Sequence, residues 1–227
     1  MAEDSPVALW SLPPLAPRDL LQAGGGVVRA GAPIAWIAPD VGLGAAGFLP
    51  LPGGARHLRI ESLVGRAALE AGEPDEQVLL ELLRRRRGRL DADDVLSCAG
   101  IVWLYRGVCR LRGVPAQGLR MEQVVAKAIG ARCPDCARAV AIFCALLGDV
   151  AARLALASGA LGGVYLGGVL VPELAEWFLR SPFRRRFECH GRDRELMRAI
   201  PTFVVRRGIA PVPVDPARLS SRSNSLG

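Results

Sequence analysis

Between Leu154 and Pro172, nineteen consecutive residues (LALASGALGGVYLGGVLVP) carry no charge. A stretch of that length either crosses a bilayer, which takes about 20 apolar residues as a helix, or lies at the centre of a packed domain. The punctuation within it chooses between them. Leu154–Leu156 continue a helical apolar period that begins at Cys133, Gly159 is placed to stop that helix, and Gly162-Gly163 makes a turn. Val164–Val171 then reads as a buried strand. The flanks hold neither a Lys/Arg excess nor an aromatic belt. The sequence therefore predicts a long amphipathic helix over Cys133–Ser158, a core strand after it, and no membrane span.

The rest of the chain fits around that pair. A short helix is expected around Arg18–Gln22, and buried strands at Pro33–Ala38, Ala45–Leu51 and His57–Ser62, with a turn at Pro52–Gly54 between the last two. From Pro74 the period becomes helical: Val78, Leu79, Leu82 and Leu83 mark an apolar face, Asp75 and Glu76 occupy the first turn, and Gly88 ends the helix. Asp91–Arg106 reads as one helix with Asp91 at its cap, and Met121–Ile129 as another. Helices at Pro172–Arg180 and Asp193–Ala199 and a last strand at Pro201–Arg206 complete an α/β layer architecture. Residues 1–219 read as one domain and 220–227 as a polar, frayed tail.

Composition removes several chemistries. The only lysine is Lys127, and it precedes no Ser or Thr, so there is no Walker-A loop. His57 and His190 are the only histidines and form no HExxH or zinc-deaminase signature. The net charge is +7, but aromatics are only 5%, so Arg84–Arg87 and Arg184–Arg186 read as solvated helix faces and no nucleic-acid partner is expected. The six cysteines fit no secreted framework and the N-terminus carries acids, which suggests free thiols in the cytoplasm. Cys133-Pro-Asp-Cys136 has no second pair for zinc. It opens a helix without a preceding thioredoxin-type strand, and reads as two thiols at a helix start.

Arg138–Pro172 is similar to the "LFC…G…LAL..GA.GGVY.AGGIVP" run of the bacterial glucokinases, members of the hexokinase, actin and Hsp70 ATPase superfamily. Glu173–Val205 resembles their "S-x-F…F..KGR" segment and the strand beginning "IP". Asp94–Tyr105 resembles "RVLSGPGL..LY", and Pro33–Gly44 resembles the second phosphate loop, "PIAV.GPGTGLG". The likeness spans most of residues 7–206. It implies a ribonuclease-H-like (actin-like ATPase) fold, mainly the large C-terminal domain of a glucokinase. It also implies ATP with Mg2+ and glucose as ligands, and phosphorylation of glucose to glucose 6-phosphate as the reaction.

The same resemblance assigns roles. MAEDSPVALW stands where "NDFxAVAL" is expected, which puts Glu3 at the catalytic Asp; the first phosphate loop, "GDVGGTN", has no counterpart. Val41, Gly42, Leu43 and Gly44 stand in the second phosphate loop, where Val41 replaces Thr and Asp40 replaces Gly, an anion where phosphate would lie. Gly167 and Gly168 fall in the adenosine motif, whose next glycine is Val169. For the sugar loop "EGGH", an ungapped match puts Leu63 and Arg66 at the Glu and His, and a two-residue shift puts Glu61 and Val64 there. Asp93 stands at a third sugar-binding Glu. Prolines in Ile209–Ala217 replace the flexible glycines of "NPGLLGA". No metal ligand is assigned. Three readings follow, an ATP-dependent glucose kinase, a non-catalytic remnant that binds a partner protein or weakly binds a nucleotide, or a truncated product whose N-terminal half is encoded elsewhere, and self-association stays open as cover for an apolar face.

Overall fold

The computed structural model of the chain describes residues 9–53, 56–206 and 208–213. Glu3 and the expected tail lie outside them. Strands β1 (Leu9–Ser11), β2 (Leu20–Gln22), β3 (Ile34–Pro39), β4 (Leu43–Pro50), β5 (His57–Glu61), β6 (Val164–Leu166), β7 (Thr202–Val205) and β8 (Val212–Pro213) form one sheet in the order β2-β7-β6-β3-β4-β5-β1-β8. β3, β4 and β5 are an antiparallel meander; β6 lies parallel to β3, and β7 parallel to β6. Parallel neighbours need a crossover, and helices supply both. Between β5 and β6 run α1 (Pro74–Arg87), α2 (Ala92–Val95), α3 (Cys98–Leu111), α4 (Met121–Ile129) and α5 (Pro134–Ser158). Between β6 and β7 run α6 (Leu170–Leu179), α7 (Phe183–Phe187) and α8 (Arg194–Ala199).

The strand period of two divides the core into two layers. Ala35, Ile37, Leu43, Ala45, Val164, Leu166 and Val204 face the helices. Ile34, Trp36, Ala46, Phe48, Tyr165 and Phe203 face the other way, with Trp36 stacked on Tyr165 at 6.1 Å and Tyr165 tilted against Phe203 at 5.2 Å. Both layers are buried, which is why the central strands read as continuous apolar runs.

Helix α5 is the centre of the helical layer. Of its 25 residues, 15 are buried, so it is enclosed on nearly all sides instead of presenting a single stripe. It is long and apolar enough to cross a membrane, and 78% of its most apolar window is buried inside the fold. Gly159 ends it in the left-handed conformation at φ +61°, and the chain then turns into β6, so the uncharged stretch is broken where the glycines predict.

Several boundaries differ from the sequence reading, each for a local reason. Val169–Val171 is not strand: β6 ends at Leu166, Gly168 adopts φ +80°, and α6 starts at Leu170 instead of Pro172. Arg18–Gln22 is a 3-10 turn at Pro17–Asp19 followed by β2, because edge pairing with β7 outweighs helix propensity over so few residues. Asp91–Arg106 is two helices. Ser97 caps the second by accepting from the Gly100 N–H at 2.9 Å, which restarts the helix after Val95. The inner face of α1 carries Glu76, Leu79, Leu80 and Leu83, while Val78 is 54% exposed.

Glu76 faces inward because Arg186 meets it there. Arg186 Nη1 lies 2.7 Å from Glu76 Oε2 and Nη2 lies 3.4 Å from Asp149 Oδ2; the same Glu76 oxygen accepts from the Gly72 N–H at 2.8 Å. Burial works against the Arg186 charge, but Glu76 and Asp149 outweigh it and hold its pKa above the usual value. Arg184 donates to the backbone carbonyls of Ile200, Met197 and Arg198, fastening the end of α8. Arg184 and Arg186 are therefore internal fasteners, not a solvated face; Arg185, paired with Glu73, is the outward member of that run. In the other run, Arg84 donates to Leu69 O and Arg87 lies 3.3 Å over the Trp103 ring, so neither is simply solvated. Arg186→Leu, which strands a buried carboxylate, should destabilise the chain by about 3–5 kcal/mol in urea titration, and adding Glu76→Leu should recover most of that loss.

Candidate functional site

The parallel pairing of β3 with β6 brings the ends of both strands to one edge of the sheet, where their turns meet. The β3–β4 turn is tight: the Asp40 N–H donates to Gly42 O at 3.0 Å, and Val41 at its tip is 98% exposed. Asp40 then makes two longer links. Its carbonyl accepts from the Cys98 N–H at 2.8 Å, at the start of α3. Its carboxylate oxygen Oδ1 accepts from the Val169 N–H at 2.6 Å, at the start of α6. The unpaired amides at a helix N-terminus favour an anion, and here a side chain of the same chain provides it. Gly168 makes this approach possible: a Cβ there would lie 2.7 Å from Asp40 Oδ1, and its φ of +80° suits glycine. Gly167 donates to Ile37 O at 2.8 Å, and a Cβ on it would come within 3.0 Å of the Trp36 indole.

Asp93 holds the other side of the β3–β4 turn. Its Oδ1 accepts from the Leu43 N–H at 3.1 Å. Gly65 packs so closely on the same carboxylate that an added Cβ would land 2.1 Å from Oδ1. Asp94 accepts from the Asp91 N–H at 3.0 Å, so each of the three acids beside this turn has a backbone amide as partner.

Two clefts flank Val41. One, of about 670 Å3, is lined by the 40–44 turn, Asp93, Asp94 and Ser97. The other, of about 780 Å3, runs between Val41, Trp103, Arg106, Arg120, Met121 and Val169. Cys98 opens into the second, and burial, with Asp40 and Glu122 adding to it, pushes its thiol pKa up. It stays protonated and is a poor nucleophile. Among the described residues no group of three or more His, Cys, Asp or Glu could hold a metal ion.

The structure thus brings Val41, Gly42, Leu43, Gly44, Gly168 and Asp93 into one neighbourhood, with Gly167 just behind it. Glu61 is elsewhere: it lies on β5, pairs with Arg59 and is not among the lining of either cleft. Glu3 lies outside the described residues. Sequence reasoning missed Trp103, Arg106 and Met121. Trp103 and Arg106 were legible only as two positions of α3 three residues apart, facing the same way as Ala99, and Met121 only as the first residue of α4.

Comparison with known proteins follows the same outline. The family described as Glucokinase matches residues 4–211. The glucokinase of Aromatoleum aromaticum is 42% identical over 86% of this chain and 58% of its own length. That of Chromobacterium violaceum is 38% identical over 92% of this chain and 60% of its own. The crystal structure of glucokinase from an Antarctic psychrotroph superposes with a TM-score of 0.76, at 29% identity, over 84% of this chain and 59% of that one. The chain spans about three fifths of the length of these relatives, and the sheet and crossovers are those of the actin-like ATPase fold. Gly65→Ala should cost about 1–3 kcal/mol by overpacking Asp93, and in thermal or urea unfolding the Gly65→Ala/Asp93→Ala pair should cost less than the two single changes added.

Proposed function

Because this chain belongs to the glucokinase family, we propose that it carries the scaffold for ATP-dependent phosphorylation of glucose to glucose 6-phosphate, with the phosphate position of that scaffold closed. On this reading it is a non-catalytic member that binds ligands or a partner. Glucose, ATP with Mg2+ and a cytoplasmic setting come with the family as parts of the proposal.

The observation that carries it is the 2.6 Å contact of the Asp40 carboxylate with the Val169 N–H. In the family loop, glycine stands at Asp40 and threonine at Val41, leaving room and a hydroxyl for a phosphate. Here the carboxylate fills the room, and an isopropyl group replaces the hydroxyl. A triphosphate that reached this turn would meet a negative charge and an amide already paired. The residues present therefore do not fit a nucleoside triphosphate at its phosphates, and Asp93 and Asp94, each engaged by a backbone amide, do not form an evident magnesium site. The 780 Å3 cleft beside Val169 keeps apolar walls and remains able to accept a flat ring system.

The sugar side supports the same reading. The close contact of Gly65 with Asp93 favours the register in which Val64-Gly65 stand at the paired glycines of "EGGH", so Leu63 and Arg66 occupy the Glu and His positions. Leu63 offers no hydrogen bond to a hydroxyl, and Glu61 is left as a partner of Arg59. Asp93 is the one acid of the sugar set that remains in the cleft, and it already accepts from Leu43.

Calorimetry and a coupled glucose-6-phosphate assay test this together. ATP should bind at least about a hundredfold more weakly than to the glucokinases the chain resembles, and glucose turnover should fall far below the usual kinase range of about 1–100 per second. Asp40→Gly with Val41→Thr should raise ATP affinity about ten- to hundredfold, since a hydrogen bond to a charged group is worth about 1.5–3 kcal/mol. Glucose-dependent ADP release by the unaltered chain, abolished by Asp93→Asn, would overturn the proposal.

A further inference from the structure

Away from both clefts, the first turn of α5 gathers sulfur. Cys133 is the N-cap: its Sγ accepts from the Cys136 N–H at 3.4 Å, and the Cys136 thiol shares a hydrogen bond with that sulfur. Cys136 is fully buried, whereas Cys133 is partly open to solvent. A third thiol, Cys109 of α3, lies close enough to interact with both, but its own hydrogen-bond partner is Tyr105. We propose that Cys133 and Cys136 form a reversible dithiol–disulfide site whose co-reactant is a low-molecular-weight disulfide of the glutathione type.

Three features of the geometry support this. The two residues are N-cap and third helical residue, so the helix itself holds the sulfurs in contact, and closing so short a loop needs little rearrangement. The partly exposed sulfur sits at the N-terminus of a 25-residue helix, at its solvent-facing end, where a small disulfide can reach it. The second thiol is shielded, so an incoming disulfide meets Cys133 first. Burial pushes the Cys136 thiol up to about 12, which keeps it protonated until it is needed. This division into an accessible attacking sulfur and a buried resolving one is what two-step exchange requires.

The steps balance. The Cys133 thiolate attacks one sulfur of oxidised glutathione, forming a mixed disulfide and releasing one glutathione thiolate. Cys136 gives up its proton and attacks Cys133 Sγ; the second glutathione leaves as thiolate. The protein loses two protons and two electrons, and the glutathione disulfide takes up both and is reduced to two thiols. Cys109 is kept out by its bond to Tyr105 and its place on another helix.

The sequence provides a convenient assay. Trypsin cutting after Arg132 and Arg138 yields Cys133–Arg138, which contains both sulfurs and no other cysteine. The exposed Cys189 is an internal standard for reagent access. The folded chain is treated with excess oxidised glutathione, alkylated and digested. The expected result is loss of two hydrogens from Cys133–Arg138 without alkylation, reversal by dithiothreitol, and a single glutathione held on Cys133 in the Cys136→Ser variant. The proposal is overturned if Cys189 is glutathionylated while Cys133–Arg138 stays reduced. It is equally overturned if the pair closes only in urea, or if Cys133 is bridged to Cys109. The wild-type measurement decides the matter even where the variant does not fold.

Discussion

Everything in this fold answers to the burial of α5. A 25-residue helix with almost no polar face has to be covered on all sides, and its neighbours are arranged to do so. The sheet covers one side through Ala35, Ile37 and Ala45 of β3 and β4; α3 and α4 cover a second, and α7 a third. Small residues make this close packing feasible. Gly148 lets the backbone of Phe183 approach so closely that a Cβ would lie 2.4 Å from its carbonyl oxygen. Covering α5 from the α7 side also places Arg186 where it needs a carboxylate. That explains why α1, at the far end of the first crossover, turns Glu76 inward.

The candidate site is a by-product of that arrangement. Parallel pairing of β3 and β6 on either side of the α5 crossover sets two turns side by side, and whatever residues occupy those turns face each other. In this chain they are a carboxylate and a helix N-terminus, and they satisfy one another. The site is thus electrostatically complete without a ligand. A basic protein would ordinarily be expected to draw phosphates; here the decisive charge is one aspartate placed against one amide, and the net charge of +7 has little to do with it.

Much of this was legible in the residues. The helix ending at Gly159 and the turn at Gly162-Gly163 were readable because glycine marks positions whose backbone or spacing admits little else. Asp40 was readable as an acid in the turn after β3, but its partner was not, because Val169 reads as strand by β-propensity and only tertiary pairing fixes where β6 ends. The inward Arg184 and Arg186 were misread for a related reason: a run of arginines looks solvated unless the carbonyls and carboxylates that enclose it are known, and those come from α1, α5 and α8. Glu61 came from a two-residue shift of the "EGGH" match; strand register turns it outward to Arg59.

The Asp40 contact also bears on how such a protein can change over generations. On the proposed reading the carboxylate stands in for the anion it excludes, so the glycine at 168, with its φ of +80°, and the Val169 amide that Asp40 engages stay in use as an internal contact. A lineage that stops using a phosphate pocket would ordinarily lose the pocket's shape by drift. On that reading, folding itself keeps the shape of the cradle under selection without a ligand. Since aspartate and glycine codons differ by one base, a single step restores the room at position 40, while the hydroxyl at position 41 needs further changes.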